Sequence, residues 1–376
     1  MRTSRERLAR LDREVTMRTE HLVATTLAAQ AAASDPAAEA PKPISADDRS
    51  KNSLRPNNFD EIIGQEKAKA MMRRVVDAAK QRGHLDHVLL VGPAGTGKTT
   101  FSNVIANEMG ADCYQMAAPV TLEALMELRE VMKDGDLLFV DEIHMQAVQE
   151  RRGKTASSAP EVFLQLLEDQ VIATPEGMLP FPKITIIGAT TDEGMLPDPF
   201  IARFPLRPRL ERYSVVDLGE MAIWNAVKLN LRIQIEAAHA FARAARFTPR
   251  EVNNYMKNAA SLCGPDNIVT EAVAHEVLYD LNGVTDDGMT PDQQAMLTFL
   301  YTKAKRVRRP QRQGEQPEIT YSASISTIAT AIGKSRDAKA IQLRVEPYLI
   351  ELGYVQVGHG GRILTPEGAA RATTLL

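Results

Sequence analysis

Eight consecutive residues, Gly92-Pro93-Ala94-Gly95-Thr96-Gly97-Lys98-Thr99, leave few folds open to this chain. They fill the pattern G-x-x-x-x-G-K-[ST] at every position. Chemistry explains the spacing: the glycines let backbone N–H groups turn inward on phosphates, at the positive end of the helix that follows. Lys98 is then placed to reach the β- and γ-phosphates of a nucleoside triphosphate, and the Thr99 hydroxyl to bind Mg²⁺. The pattern requires a strand before it and a helix after it. His87–Val91 reads as the strand and Thr100–Met109 as the helix, so Thr100 joins the cradle. An accidental glycine turn in that context is remote.

A second motif completes the first. Leu137-Leu138-Phe139-Val140 is a buried strand that ends in Asp141-Glu142, at the carboxyl edge where doubly wound sheets bind ligands. Carboxylates at a strand end are usually only solvated. Paired with the loop at 92–99, they read instead as a metal holder, Asp141, and a base that orients and polarises water, Glu142. Ile184–Ile187 is a further apolar strand, and helices alternate with all three. The fold class is therefore α/β, a parallel sheet covered by helices on both faces. Residues 214–283 read as helices only. The last segment combines helices with a closing strand pair, Tyr354–Val357 and Arg362–Leu364.

With 376 residues the chain divides readily. The expected organisation is an N-terminal helix and linker over 1–53, a nucleotide domain over 54–213, a helical lid over 214–289 and a winged-helix domain over 290–376. Residues 2–33 place Leu8, Leu11, Val15 and Leu22 on one stripe, interrupted by Arg18 and Thr25. An Ala- and Pro-rich linker runs from Ala37 to Ser45. No apolar run is long enough to span a bilayer, which excludes a membrane protein. Arginines near the start suggest a transit peptide, but Glu6, Asp12, Glu14 and Glu20 argue against one. Cys113 and Cys263 match no zinc spacing and read as reduced thiols, which implies a cytoplasmic location. Net charge is -3 overall, yet from residue 290 onward 12 lysines and arginines face seven acids. Six of those basic residues lie in Lys303–Arg312, with no acid among them. Lys303, Lys305, Arg306, Arg308 and Arg309 are accordingly candidates for phosphate contact on DNA, with a solvated linker as the plain alternative.

Beyond the two motifs, an ordered set of runs resembles the RuvB family of AAA+ ATPases. It comprises Leu54-Arg55-Pro56, Ile63-Gly64-Gln65, Leu85-Asp86-His87-Val88-Leu89-Leu90 and Asp141-Glu142-Ile143-His144. Gly188-Ala189-Thr190-Thr191, Ala202-Arg203-Phe204, Thr248-Pro249-Arg250 and Glu346-Pro347-Tyr348-Leu349-Ile350 follow in the family's order. The likeness covers nearly everything from Leu54 onward and leaves out residues 1–53. It implies an ATPase that uses ATP and Mg²⁺ to drive a DNA motor on branched DNA, with self-association into a ring, a hexamer by the family's example. By the same resemblance Thr191 is sensor 1, Arg203 the arginine finger acting on a neighbouring subunit, and Arg250 sensor 2. The segment Leu54–Gln65 wraps the adenine, with Arg55, Pro56, Ile62 and Ile63 in the binding set. Lys339–Leu352 corresponds to a recognition-type helix, and Arg362, at the base of a hairpin, to a DNA-contacting wing arginine.

The chain departs from the family in three places. Val148–Ser158 looks like an insertion, with Arg151, Arg152 and Lys154 in it. Asp192 stands where the family usually has arginine. Gln170–Lys183 is short where the family carries a longer β-hairpin that docks on RuvA, and Pro180 and Pro182 cannot donate ladder hydrogen bonds. A RuvA-type partner is therefore doubtful. Two alternatives stand beside the motor. One is a clamp-loader-like switch that uses ATP to assemble a partner on DNA. The other is a protein unfoldase, which the lack of an aromatic pore-loop triplet in Met116–Glu130 disfavours.

Overall fold

The computed structural model describes residues 54–148, 160–174, 177–308, 318–333, 339, 341–358 and 361–376. The N-terminal stripe, nearly all of the insertion at 148–158, and Arg309 and Arg312 lie outside the described residues. The chain forms two compact units, residues up to 235 with 247–256, and 236–246 with 257 to the end. No helix among the described residues is long and apolar enough to cross a membrane.

The first unit is built on four parallel strands: β1 (Val88–Val91), β2 (Cys113–Ala117), β3 (Leu137–Asp141) and β6 (Thr185–Thr190), in the order β1-β6-β3-β2. Between β3 and β6 the chain makes a hairpin, β4 (Val171–Thr174) with β5 (Gly177–Pro180). β1 and β3 are apolar runs, and β6 is apolar between its terminal threonines, because helices cover both of their faces, and their residues are almost wholly buried. Two cores result, one on each face. Val88, Leu90, Phe139 and Ile187 pack with Met72 and Val76 of helix α1 (Glu66–Arg82) and with Phe101 and Ile105 of α2 (Lys98–Met109). Leu89, Leu138, Val140 and Ile186 pack on the other side with Leu125 of α3 (Leu122–Val131) and Phe163 of α5 (Pro160–Asp169). Short helix α4 (His144–Val148) separates β3 from α5. A segment that no apolar run announces, Leu206–Leu210, runs along the free edge of β1, where Leu89 N–H donates to Leu206 O and Leu210 N–H to Val91 O.

Helix α6 (Asp198–Ala202) precedes Arg203, and α7 (Val215–Lys228) starts at a capping box in which Ser214 and Asp217 bond each other's backbone N–H. The stretch 214–283 is helical, as expected, apart from two-residue strands β7 (Arg232–Ile233) and β8 (Ile268–Val269). Its main helices are α8 (Ile235–Ala244), α9 (Pro249–Leu262) and α10 (Glu271–His275).

The C-terminal segment adds to the expected closing pair. The closing pair, β11 (Val355–Gly358) and β12 (Gly361–Leu364), is not alone but belongs to a four-stranded antiparallel sheet. Its other members are β9 (Lys305–Arg308) and β10 (Glu318–Ala323), so the basic stretch is partly strand and not a linker throughout. Against the sheet lie α11 (Pro291–Lys303), α12 (Ile325–Ala331), α13 (Glu346–Glu351) and α14 (Pro366–Thr374). Met296, Leu297, Leu300, Ile328, Ile341 and Leu349 form their shared core.

Candidate nucleotide site

Strand order decides what meets what. β6 lies between β1 and β3, so the end of β6 stands between the phosphate loop that follows β1 and the two carboxylates that end β3. Gly92 N–H donates to Thr190 O at 3.1 Å, which stitches the loop to β6. Gly92 itself has no room for a side chain: a Cβ there would lie 2.5 Å from Leu210 O, on the segment crossing beside β1. Gly97 (φ +90°) takes the left-handed conformation at the N-cap of α2, open to glycine at little cost. Thr96 is buried and its hydroxyl donates to Pro93 O at 2.8 Å, closing the loop on itself.

Lys98 is 7% exposed, and its ammonium donates to Gly92 O at 2.8 Å and Pro93 O at 3.1 Å. Burial depresses its pKa, while Glu142 and Asp141 pull the other way and Arg250 adds to the depression. Those charges place Lys98 among the two carboxylates and the arginine in one electrostatic neighbourhood. Glu142 has φ +48°. Its Oε2 accepts from Thr191 Oγ1 at 3.0 Å and Thr191 N–H at 3.3 Å, and lies 3.3 Å from His144 Nδ1. His144 also pairs with the buried Thr190 hydroxyl at 3.0 Å. Thr191 is thus in contact with Glu142, and His144 and Thr190 belong to the same network although neither stood among the candidate site residues. Asp141 Oδ1 accepts from Glu142 N–H at 3.0 Å.

Among the described residues no cluster of three or more His, Cys, Asp or Glu is set to hold a metal ion. Thr99 and Asp141 supply only a hydroxyl and a carboxylate. That donor set fits Mg²⁺, which keeps several waters and is shared with substrate phosphates.

Beside the start of α2 lies a cleft lined by Arg55, Pro56, Ile62 and Ile63, the residues expected around the base, and by Gly97 and Thr100, expected at the phosphates. Sequence reasoning missed its other walls: Tyr213 just before α7, Met221, Trp224 and Asn225 within it, and Asn253 on α9. They are remote in sequence and carry no motif, although Trp224 is the chain's only tryptophan. Burial pushes the Tyr213 phenol up to about 12, and Asp217 adds to the rise against a hydrogen bond from Gln65. Tyr213 therefore stays a neutral wall.

The remaining candidates are elsewhere. Arg203 donates to Glu168 Oε2 at 2.7 Å and to Pro199 O at 2.9 Å, and its side chain is 27% exposed. Asp192, the departure from the family beside Thr191, caps the short turn Glu193–Met195 by accepting from Gly194 N–H at 3.1 Å. In the second unit Arg362 makes two bonds to Glu346, at 2.5 and 2.6 Å, and is only 12% exposed. Lys303 is exposed at the end of α11, and Lys305, Arg306 and Arg308 lie in β9.

Residues 54–210 match the family described as the Holliday junction DNA helicase RuvB P-loop domain, and residues 320–371 the RuvB C-terminal winged helix domain. The chain is 33% identical over 326 residues to the Holliday junction branch migration complex subunit RuvB of Lacticaseibacillus casei, covering 85% of this chain and 90% of that protein. It is 35% identical over 334 residues to the subunit of the same name from Campylobacter jejuni, covering 85% and 92%. A solved structure of the Thermotoga maritima RuvB Holliday junction branch migration motor superposes with a TM-score of 0.66 at 27% identity, covering 85% and 98%.

Proposed function

The chain belongs to the RuvB family, and from that premise we propose that it is an ATPase that drives branch migration on four-way DNA, assembled head to tail into a ring of the hexameric kind. The observation that carries the reading is Glu142, held by Thr191 and His144 at the end of β3, one strand away from the phosphate loop. Glu142 orients the attacking water and accepts its proton as the γ-phosphoryl is transferred. Lys98 exchanges the carbonyls of Gly92 and Pro93 for phosphate oxygens, and Thr191 keeps the Glu142 carboxylate turned toward the reacting group. Mg²⁺, when bound by Thr99 and Asp141, neutralises charge on the phosphates. Arg250 monitors the nucleotide from α9, and Arg203 acts on the site of the next subunit.

We assign residues 54–213, 214–289 and 290–376 to nucleotide domain, lid and winged helix. DNA contact falls to Lys303, Lys305, Arg306, Arg308 and Arg309 by charge, and to Arg362 once a phosphate displaces Glu346. Working on DNA, the protein belongs in the cytoplasm. The hairpin of four-residue strands β4 and β5, with Met178 its main exposed apolar side chain at 56%, offers little surface to a RuvA-type partner. A clamp-loader-like switch is the weaker reading, because the relatives over both family domains are branch migration proteins.

A synthetic four-way junction tests the proposal. ATP-dependent separation of its arms is expected from the unaltered chain and not from Glu142→Gln. ATP turnover with no arm separation, with or without an added RuvA, counts for the switch.

A further inference from the structure

The cleft beside the start of α2 is mostly apolar, and apolar walls discriminate weakly between ligands of the same shape. Discrimination needs a polar group aimed at the ligand. Asn225 and Asn253 are engaged with each other, Asn225 Nδ2 donating to Asn253 Oδ1 at 2.7 Å. Trp224 differs: its Nε1 is buried and has no hydrogen-bond partner among the described residues, although the residue lines the cleft.

An indole N–H can only donate, and a buried donor left unpaired is costly enough that native proteins seldom keep one without a reason. The ring is also held in place. Lys228 Nζ lies 5.8 Å from its centroid, and the same ammonium bonds Glu61 at 2.8 Å and Arg55 O at 3.2 Å. One lysine therefore ties the indole to the segment Arg55–Ile62, which also lines the cleft. A base entering between them parts the walls and brings in-plane ring nitrogens, which are acceptors, to a donor that has none.

We infer that the Trp224 indole N–H donates a hydrogen bond to a ring nitrogen of the purine bound in this cleft, which makes Trp224 a specificity-determining residue for the nucleotide. The inference rests on the nucleotide-binding reading above and goes beyond it by naming the atom that recognises the base.

The test replaces one acceptor at a time. ADP and its 1-deaza, 3-deaza and 7-deaza analogues, each with one ring nitrogen exchanged for C–H, are titrated calorimetrically into the unaltered chain. Trp224 is the only tryptophan, so its emission reports on the contact in parallel. One analogue is expected to bind about tenfold more weakly than ADP, the order expected of one hydrogen bond, and to leave out the emission change that ADP causes. Trp224→Phe keeps an aromatic wall without the donor. It should weaken ADP by a similar factor and no longer distinguish that analogue, the signature of direct coupling. If all three analogues bind the unaltered chain within about twofold of ADP, or if Trp224→Phe still discriminates, the inference is overturned. If ADP itself does not bind, the nucleotide reading beneath it falls as well, so the two failures are told apart.

Discussion

Glu142 illustrates how a single side chain is made ready for chemistry. Its φ of +48° lies in the left-handed region, which costs a non-glycine residue about 1–2 kcal/mol. The conformation is retained because it turns the carboxylate back toward β6, where the Thr191 hydroxyl and N–H and the His144 ring meet one oxygen. Replacing Glu142 with glutamine preserves shape and leaves an acceptor for Thr191, but an amide cannot take a proton from water. Glu142→Gln is therefore expected to bind ATP within about twofold of the parent and to hydrolyse it at least about a hundredfold more slowly, in keeping with the loss of general base catalysis. Equilibrium binding and single-turnover hydrolysis measure the two separately. A parental hydrolysis rate would remove Glu142 from the mechanism. The two motifs made this residue legible in the sequence. His144 stands in the sequence only within a family-like run, and its partnership with Glu142 and Thr190 depends on β3 and β6 being neighbours, which spacing alone does not reveal.

At the scale of elements, the second unit depends on a polar clamp. Asp287, in the turn before α11, accepts from Arg371 of α14 at 2.9 and 3.0 Å, from Thr285 at 2.6 Å and from Tyr354 at 3.0 Å. Burial alone would raise its pKa, but the hydrogen bonds from Arg371 and Thr285 outweigh it and hold the carboxyl below the usual range. A depressed folded pKa contributes stability that is complete above the unfolded value, near 4, and is lost as pH falls through the folded value. Asp287→Asn is expected to lower stability at pH 7 by about 1–3 kcal/mol, the range for hydrogen bonds to a charged group. Urea unfolding followed at pH 7 and near pH 3 should show the gap between parent and variant closing in acid. An unchanged gap would make the clamp irrelevant to acid sensitivity. Elements differ in how much of this the sequence discloses. β1, β3 and β6 were legible as apolar runs because both of their faces are covered. β2 was not, because it is an edge strand whose residues are only partly buried. β9 was hidden by its composition: Lys305-Arg306-Val307-Arg308 reads as a charged stretch until pairing with β10 makes it strand. The cleft walls on α7 and α9 were hidden for a third reason, since they reach the site only through the packing of helices far away in sequence.

For the whole molecule, the decisive issue is whether a single chain holds a complete site. Lys98, Asp141, Glu142, Thr191 and Arg250 all belong to one unit: Asp141, Glu142 and Arg250 act on the Lys98 charge, and Thr191 bonds Glu142. Arg203 belongs to that unit too, but its guanidinium is turned to Glu168 at the end of α5 and to Pro199 O, and neither of these bonds reaches the loop residues. Charge that develops on a transferred phosphoryl group requires such a cation, and its loss lowers turnover about a thousandfold or more in enzymes that use one. If the cation comes from a neighbour, two defects on different chains can compensate. Arg203→Ala has an intact phosphate loop but offers its neighbour no finger, whereas Lys98→Ala offers a finger but binds nucleotide poorly. Each alone is expected to hydrolyse at a small fraction of the parental rate. Mixed in equal amounts, a fraction of interfaces pair an Arg203→Ala site with the finger of a Lys98→Ala chain, and activity should return to a measurable share of the parent, roughly a quarter where chains assort at random and sites act independently. Steady-state turnover across a series of mixing ratios, with co-assembly established by size-exclusion chromatography, gives the answer. A curve that follows the simple average of the two inactive proteins, in mixtures that do co-assemble, would mean that Arg203 does not serve a neighbouring site and that its bond to Glu168 is its whole role.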